Sequence, residues 1–316
     1  MRVFLALLLL FPASALPQAF PSKPLRLVVP FGPGGVADIT TRSLAPKLAE
    51  GLGQQVIVEN KPGAGGVVAA EQVARAEPDG YTLLLITNGA ATATALYKSL
   101  PYDPVNDFAM ISTVGFFGLA VVTDPKSPVK TVQDVIALAK ASPGKYNIGS
   151  ISVGSTQYLA AALFRASAGV DMQLIPYKAT PEVFVGLKNQ DIQIGFEILA
   201  PLMANIRSGN LHAVAVTGAK RYPGLPDVPT VGESGVPGYE VASWNGLAAP
   251  GKTPRAVVER LNVEAVKALA SPEIQKRFAD VGVEARSSSS VELRDFFISE
   301  SRRWGRVVEA AKIPKQ

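Results

Sequence analysis

Short apolar runs alternate with helix-length segments along most of this chain, and this order limits the possible folds more than any other feature. Eight runs are predicted to be strands: 25–31, 56–59, 82–87, 118–123, 146–150, 173–177, 193–196 and 212–217. Six helices fit between them: 37–52, 67–76, 131–141, 155–167, 181–188 and 201–208. Parallel strands need a long crossover, usually a helix, so this order predicts an α/β fold with helices on both faces of parallel or mixed sheets.

Two long extended runs, 116–131 and 238–254, interrupt the alternation, and each ends in turn-forming residues. We interpret them as crossover strands between two lobes. The chain would leave the first lobe, build the second and return. This predicts a first lobe of residues 20–122 and 241–316 and a second of residues 123–240, with a helical region at 254–311 completing the first lobe.

The first residues have the pattern of an export signal. A positive start, Met1-Arg2, precedes an apolar run at 3–11 that is too short to span a bilayer. Small residues then place the expected cleavage after Ala15, with Ala19 as the alternative. We therefore expect a mature protein in the periplasm, large enough for two modest domains.

Composition excludes several kinds of chemistry. The chain has no cysteine and a single histidine, His212, which lies in an alternating apolar segment typical of a strand. Thiolate metal sites, Cys nucleophiles and His-rich metal sites are therefore excluded, and we expect no metal, cofactor or catalytic residue. The net charge of +5 is spread thinly, so we expect no nucleic-acid partner.

A glycine-rich turn, GPGGVAD at 32–38, directly follows the first predicted strand. A strand, a glycine turn and a helix in this order present free backbone N–H groups at the strand end, which suits an anion. A tight turn with no ligand remains the alternative. Asp38 is equally suited to capping the helix and to contacting a ligand.

Three further loops also follow predicted strands. The segment 149–156 is again a strand, a glycine-bearing turn and a helix start, and it falls in the other predicted lobe. The segments 87–94 and 176–183 follow strands in the first and second lobes. Two helix N-termini facing each other across a cleft could hold a carboxylate from both sides. Ordinary helix capping and plain loops remain the alternatives.

Two other features could indicate function: a match to the phosphate-binding loop and the acidic residue Glu197. The segment GLAAPGKT at 246–253 matches the phosphate-binding formula G-x-x-x-x-G-K-[ST], but no continuous buried strand precedes it and Pro250 would stiffen the loop. We therefore predict no nucleotide site. Glu197 follows a predicted strand and could select an ammonium group in the cleft or simply face solvent.

Several segments, taken together and in order, closely resemble the Bug/TctC family of extracytoplasmic solute receptors of tripartite tricarboxylate transporters. They are PSKPLRLVVPFGPGGVAD, VENKPGAGG, EPDGYTLLL, LYKSLPYDPVNDF, GSISVGSTQYLAAALF, PYKATPE and WNGLAAPGKTP. The resemblance implies a two-lobed type II periplasmic-binding-protein fold that closes on a small carboxylate. It also implies membrane permease subunits as partners, and we expect the receptor itself to be a monomer.

By this resemblance, four loops are expected to contact the ligand. The expected residues are Gly34, Gly35, Val36, Ala37, Asp38, Thr87, Asn88, Ala90, Thr92, Ser150, Gly154, Ser155, Thr156, Tyr177, Lys178, Ala179 and Thr180, with Glu197 as a further candidate. The chain departs from the family where Val36 and Ala37 replace a usual Ser or Thr, and where Gln157 replaces a common His. Ala179 and Glu197 replace a common Gly and Asp. These departures leave the ligand's identity open.

The function expected from the sequence is therefore a receptor that binds a small organic carboxylate and is not an enzyme. Two alternatives remain at this point. One is an enzyme on the same fold, against which the missing Cys and the lone His212 argue. The other is a sensor that presents its bound carboxylate to a membrane signalling kinase.

Overall fold

The computed structural model describes residues 20–310 and 313–315. The predicted signal peptide, residues 1–15 or 1–19, lies outside the described residues. The strands are β1 (Leu25–Val29), β2 (Val56–Asn60), β3 (Thr82–Thr87), β4 (Phe108–Thr123), β5 (Asn147–Ile151), β6 (Gln173–Tyr177), β7 (Ile194–Ile198), β8 (His212–Val216), β9 (Ala242–Pro250) and β10 (Val283–Ala285). The helices are α1 (Val36–Leu52), α2 (Val67–Ala74), α3 (Asn88–Leu96), α4 (Val132–Ala141), α5 (Thr156–Ser167), α6 (Thr180–Lys188), α7 (Leu199–Arg207), α8 (Arg255–Ala270), α9 (Pro272–Asp280) and α10 (Ser290–Ala310).

The strands form a mixed sheet in the order β2-β1-β3-β9-β4-β7-β5-β6. On one side, β1 runs parallel to β2 and β3, and on the other, β5 runs parallel to β6 and β7. β9 is antiparallel to both β3 and β4. The predicted α/β fold class is confirmed, and the two groups of parallel strands form two halves of the molecule.

The long strand β4 connects these halves. Its residues 108–118 pair with β9, whereas residues 119–123 pair with β7 and β8. Where the chain returns, the Val241 N–H donates to the Thr217 carbonyl oxygen at 2.8 Å, and β9 begins at the next residue. Both extended runs thus contribute to the junction between the halves, while the exact lobe boundaries at 122/123 and 240/241 remain predictions.

Three elements differ from the sequence-based expectation. The segment 88–96, expected as a loop, is the helix α3, which packs against α10. The strand β4 begins ten residues before the predicted strand at 118. The region 254–311, expected to be helical throughout, is interrupted because Gly282 has a φ of 75° and the next residues pair with β4 as β10.

The structure also shows why the segment that matches the phosphate-binding formula cannot act as a phosphate loop. Gly246 to Pro250 lie within β9, where Gly246 pairs with Ile86 on one side and Thr113 on the other. This backbone is fixed in the sheet and cannot wrap a phosphate.

The described part of the chain has no helix long and apolar enough to cross a membrane. Within the same residues, no group of three or more His, Cys, Asp or Glu side chains is arranged to hold a metal ion.

Candidate ligand-binding site

A small cavity lies where the two halves meet, at the carboxyl ends of the parallel strands. Its volume is about 30 Å³. Its walls are formed by Phe31, Gly35, Val36, Ala37, Thr87, Gly89, Phe117, Ile151, Thr156, Gln157, Thr180, Ile198, Ser243 and Asn245. The lining therefore comes from both halves and from β4 and β9 between them.

Five helices begin at this cavity: α1 and α3 from the first half, and α5, α6 and α7 from the second. Each follows a strand after a turn of six residues or fewer, so the parallel strands direct all five N-termini to one place. In α1, α3, α6 and α7 no side chain caps the first turn, whereas Ser155 caps α5 by accepting a hydrogen bond from Tyr158 N–H at 3.1 Å.

Uncapped helix N-termini carry free N–H groups and partial positive charge. The residues that line the cavity include no Lys, Arg or His. The positive potential in the cavity therefore comes from peptide dipoles, which suits a carboxylate without requiring a charged side chain.

Asp38 stabilises the first glycine turn and does not line the cavity. One of its oxygens accepts the Gly34 N–H at 3.1 Å, and the other accepts Arg42 Nε at 2.8 Å. Gly34 needs this support because it has a φ of 86°, a conformation open to glycine and rarely to other residues. The bond to Gly34 lies in the turn before the helix, so Asp38 does not cap the first turn of α1, and ligand contact by Asp38 remains a prediction.

Replacing Asp38 therefore should affect stability more than binding. We expect Asp38→Ala to lower the free energy of unfolding by about 1–2 kcal/mol, because it leaves the Gly34 N–H and the half-exposed Arg42 without their acceptor. Asp38→Asn keeps an acceptor oxygen and should recover part of that loss. Urea unfolding of the two variants measures the difference, and equal losses would contradict this role.

The walls of the cavity contact each other directly. Asn88 Nδ2 donates to Thr156 Oγ1 at 3.0 Å, and the Thr156 and Ser243 hydroxyls lie 2.7 Å apart. Beside them, a Cβ placed on Gly65 would collide with the carbonyl oxygen of Val153 and would lie 3.2 Å from Gly154 Cα. The two halves are therefore closed against each other, which explains the small volume of the cavity.

Glu197 is buried directly behind the second-half wall. Its Oε2 accepts the Thr180 hydroxyl at 3.0 Å and Gln157 Nε2 at 3.3 Å, and both donors line the cavity. Its Oε1 makes no hydrogen bond within the described residues that meets normal geometry. Burial raises the pKa of the Glu197 carboxyl to about 7, and hydrogen bonds from Gln157, Thr180 and the Ile198 amide only partly oppose this rise.

The structure places six of the expected contact residues in the cavity wall: Gly35, Val36, Ala37, Thr87, Thr156 and Thr180. The others surround this wall without lining it. They are Gly34, Asp38, Asn88, Ala90, Thr92, Ser150, Gly154, Ser155, Tyr177, Lys178, Ala179 and Glu197. Direct ligand contact by any of the eighteen residues remains a prediction.

Most of the surrounding residues have an evident local role. Ser150 and Ser155 both donate to the Ile151 carbonyl, at 3.1 and 3.2 Å. Thr92 donates to the Gly89 carbonyl at 2.9 Å, and Lys178 is exposed. These side chains form the loops that hold the wall.

Eight wall residues were not among the expected contacts: Phe31, Gly89, Phe117, Ile151, Gln157, Ile198, Ser243 and Asn245. Ser243 and Asn245 alternate with the buried Trp244 on β9, so their polar side chains share one face of that strand. Two polar residues on either side of a Trp in an otherwise apolar strand were a signal that the sequence carried. In the sequence, Gln157 stands out only as a departure from the family pattern.

His212 lies on β8, and it does not line the cavity. Its Nε2 is 2.9 Å from the Lys130 carbonyl oxygen, so the structural role expected for this residue fits its position.

A two-lobed α/β architecture with a closed cavity at converging helix N-termini is typical of periplasmic binding proteins. Residues 40–313 match the family described as "Tripartite tricarboxylate transporter family receptor" (TctC). The chain belongs to this family, as the sequence resemblance indicated. Its members are solute-binding receptors and not enzymes.

Solved structures agree with this assignment. BugD, described as a periplasmic binding protein, is 34% identical with a TM-score of 0.90, and the match covers 94% of this chain and 100% of that one. Rpa4515 from R. palustris with adipate is 32% identical with a TM-score of 0.90, covering 94% and 100%. MatC from Rhodopseudomonas palustris with bound malate is 30% identical with a TM-score of 0.87, covering 92% and 100%.

Proposed function

We propose that this protein is a periplasmic receptor that captures a small organic carboxylate between its two halves and delivers it to the membrane subunits of a tripartite tricarboxylate-type transporter. The observation that carries the proposal is the convergence of five helix N-termini, four without a side-chain cap, on one cavity. Its relatives with adipate and malate support the same class of ligand.

The carboxylate is held by backbone N–H groups and hydroxyls. The N-terminus of α1 supplies the amides around Gly35, Val36 and Ala37, and Thr87 and Thr156 add hydroxyls from the two halves. The bound anion would accept hydrogen bonds from the free N–H groups of the uncapped first turns. Ligand binding and closure of the two halves therefore stabilise each other.

The ligand enters when the halves separate. A cavity of about 30 Å³ is far below the 300 Å³ or more that is usual for small-molecule sites. Motion about β4 and β9, the strands shared between the halves, would widen it, and closure would then bury the ligand. The permease would recognise this closed, loaded form of a monomeric receptor.

A titration tests the proposal. The purified mature protein is titrated by isothermal calorimetry with plain di- and tricarboxylates, hydroxy acids, acidic amino acids and aromatic carboxylates. At one hundred times its dissociation constant, a ligand adds about 2.7 kcal/mol to stability, so a bound acid also raises the melting temperature by several degrees. If none of these acids bound at millimolar concentration, the proposed function would be rejected.

The transport role has its own test. In the source bacterium, removal of the transporter's membrane subunits should abolish uptake of the ligand without changing its affinity for the receptor. Undiminished uptake, or a transcriptional response that depends on a sensor kinase in place of the permease, would favour the signalling alternative.

A further inference from the structure

Two side chains of the second-half cavity wall donate hydrogen bonds to Glu197. Thr180 gives its hydroxyl proton to Glu197, and Gln157 gives an amide N–H to the same carboxyl oxygen. Thr180 Oγ1 has only lone pairs left for the cavity, whereas Gln157 keeps its amide oxygen and a second N–H. Glu197 thereby makes the Thr180 hydroxyl an acceptor and orients the Gln157 amide.

The first-half wall lies opposite the Thr180 hydroxyl. Around Gly35, Val36 and Ala37 it presents backbone N–H donors at an uncapped helix start. The two walls are close together, since a Cβ placed on Gly35 would lie 3.9 Å from Thr180 Oγ1. A ligand that satisfies both walls needs an acceptor group and, next to it, a donor group.

We propose that Glu197 is a positioning residue that makes the receptor select carboxylates bearing a hydroxyl or ammonium group close to the carboxylate. This inference rests on the proposed function and specifies its substrate class. The carboxylate would occupy the α1 side, and the neighbouring donor would bind Thr180 Oγ1 or the Gln157 oxygen. A plain dicarboxylate would leave those acceptors unpaired in a buried site, which is costly.

Three matched sets of acids test the selectivity by calorimetry. They are succinate, L-malate and L-aspartate; glutarate, 2-hydroxyglutarate and L-glutamate; and 3-phenylpropionate, 3-phenyllactate and L-phenylalanine. Within the set that binds, the wild-type protein should bind a donor-bearing acid at least about tenfold more tightly than the plain acid. Equal affinities would overturn the inference while leaving the receptor function intact. Binding of no set would reject the proposed function and the inference with it.

Variants test whether Glu197 is the cause. Glu197→Leu frees the Thr180 and Gln157 donors, so the preference should fall to within about threefold. Glu197→Gln keeps an acceptor oxygen and should keep most of the preference. Glu300→Gln is the matched control, since Glu300 is also buried but accepts bonds from Trp244 and Trp304, and Trp244 lies on the opposite face of β9 from the wall residues Ser243 and Asn245. It should leave the preference unchanged.

A second variant keeps the inference testable if Glu197→Leu does not fold. Thr180→Val preserves the side-chain shape but removes the acceptor oxygen, so it should weaken binding of the donor-bearing acid about tenfold and spare the plain acid. If Thr180→Val and a folded Glu197→Leu both kept the wild-type preference, Glu197 would have only a structural role.

Discussion

Gly65→Ala is expected to weaken ligand binding by about 5- to 150-fold. The added Cβ would collide with the Val153 carbonyl and lie 3.2 Å from Gly154 Cα, and both of these groups belong to the opposite half. The Tyr97 hydroxyl, in the same half as Gly65, would lie 3.1 Å away, but it is the end of a side chain that can move aside. An overpacked contact of this kind costs about 1–3 kcal/mol. Because the contact exists only when the halves are closed, that cost opposes closure and appears as lost affinity in a calorimetric titration.

Gly53→Ala is the matched control for this experiment. Gly65 and Gly53 have similar left-handed φ values of 63° and 69°, so both alanine variants carry a comparable backbone strain of about 1 kcal/mol. Gly53, at the end of α1, has no neighbouring atom within 4 Å of an added Cβ. Both variants should therefore be less stable, but only Gly65→Ala should bind weakly. Equal affinities in the two variants would show that contact across the cavity does not control binding.

The second large effect is a pH dependence of stability caused by Glu197. Its pKa of about 7 in the folded protein exceeds its ordinary value of 4.5, so the folded state holds this proton more tightly than the unfolded state. Stability therefore falls as the pH rises from about 4.5 to 7, by about 3 kcal/mol in all. Glu197→Gln cannot ionise, so it should remove this decline and be more stable than wild type at pH 8.

Urea unfolding between pH 5 and pH 8 measures this effect. Hydrogen bonds from backbone amides lower the pKa values of the Asp103 and Asp134 carboxyls below 3.8. These two groups therefore change stability only at a pH below the range of this experiment. Glu300→Gln is again the comparison, because it weakens two indole hydrogen bonds and should lower stability across this range. An unchanged slope in Glu197→Gln would contradict the account of Glu197.

The alternation of apolar runs was sufficient to predict the α/β class because buried parallel strands need continuous apolar residues and long connections. The starts of α1, α5 and α6 followed from the same pattern to within one residue. The six expected residues that line the cavity were implied by the family resemblance, and five of them lie at these three helix starts. Helix α3 was missed since its residues Asn88–Leu96 are small and partly hydroxylated, and packing against α10 stabilises it where propensity does not.

The other wall residues depend on long-range geometry. Phe117 and Asn245 meet at the cavity only because β4 and β9 pair across a large separation in sequence. The connection of Glu197 to Gln157 and Thr180 also joins three elements, β7, α5 and α6. No local pattern encodes such a contact, so the sequence indicated Glu197 as a candidate but not its partners.

A crystal structure with the tightest-binding acid from the titration would show directly which groups hold the ligand carboxylate. The account predicts a closed protein in which the ligand carboxylate lies about 2.7–3.2 Å from backbone N–H groups at the start of α1, with further contacts from Thr156 or Thr180 in the other half. A carboxylate held instead by lysine or arginine side chains, or bound outside this cavity, would contradict it.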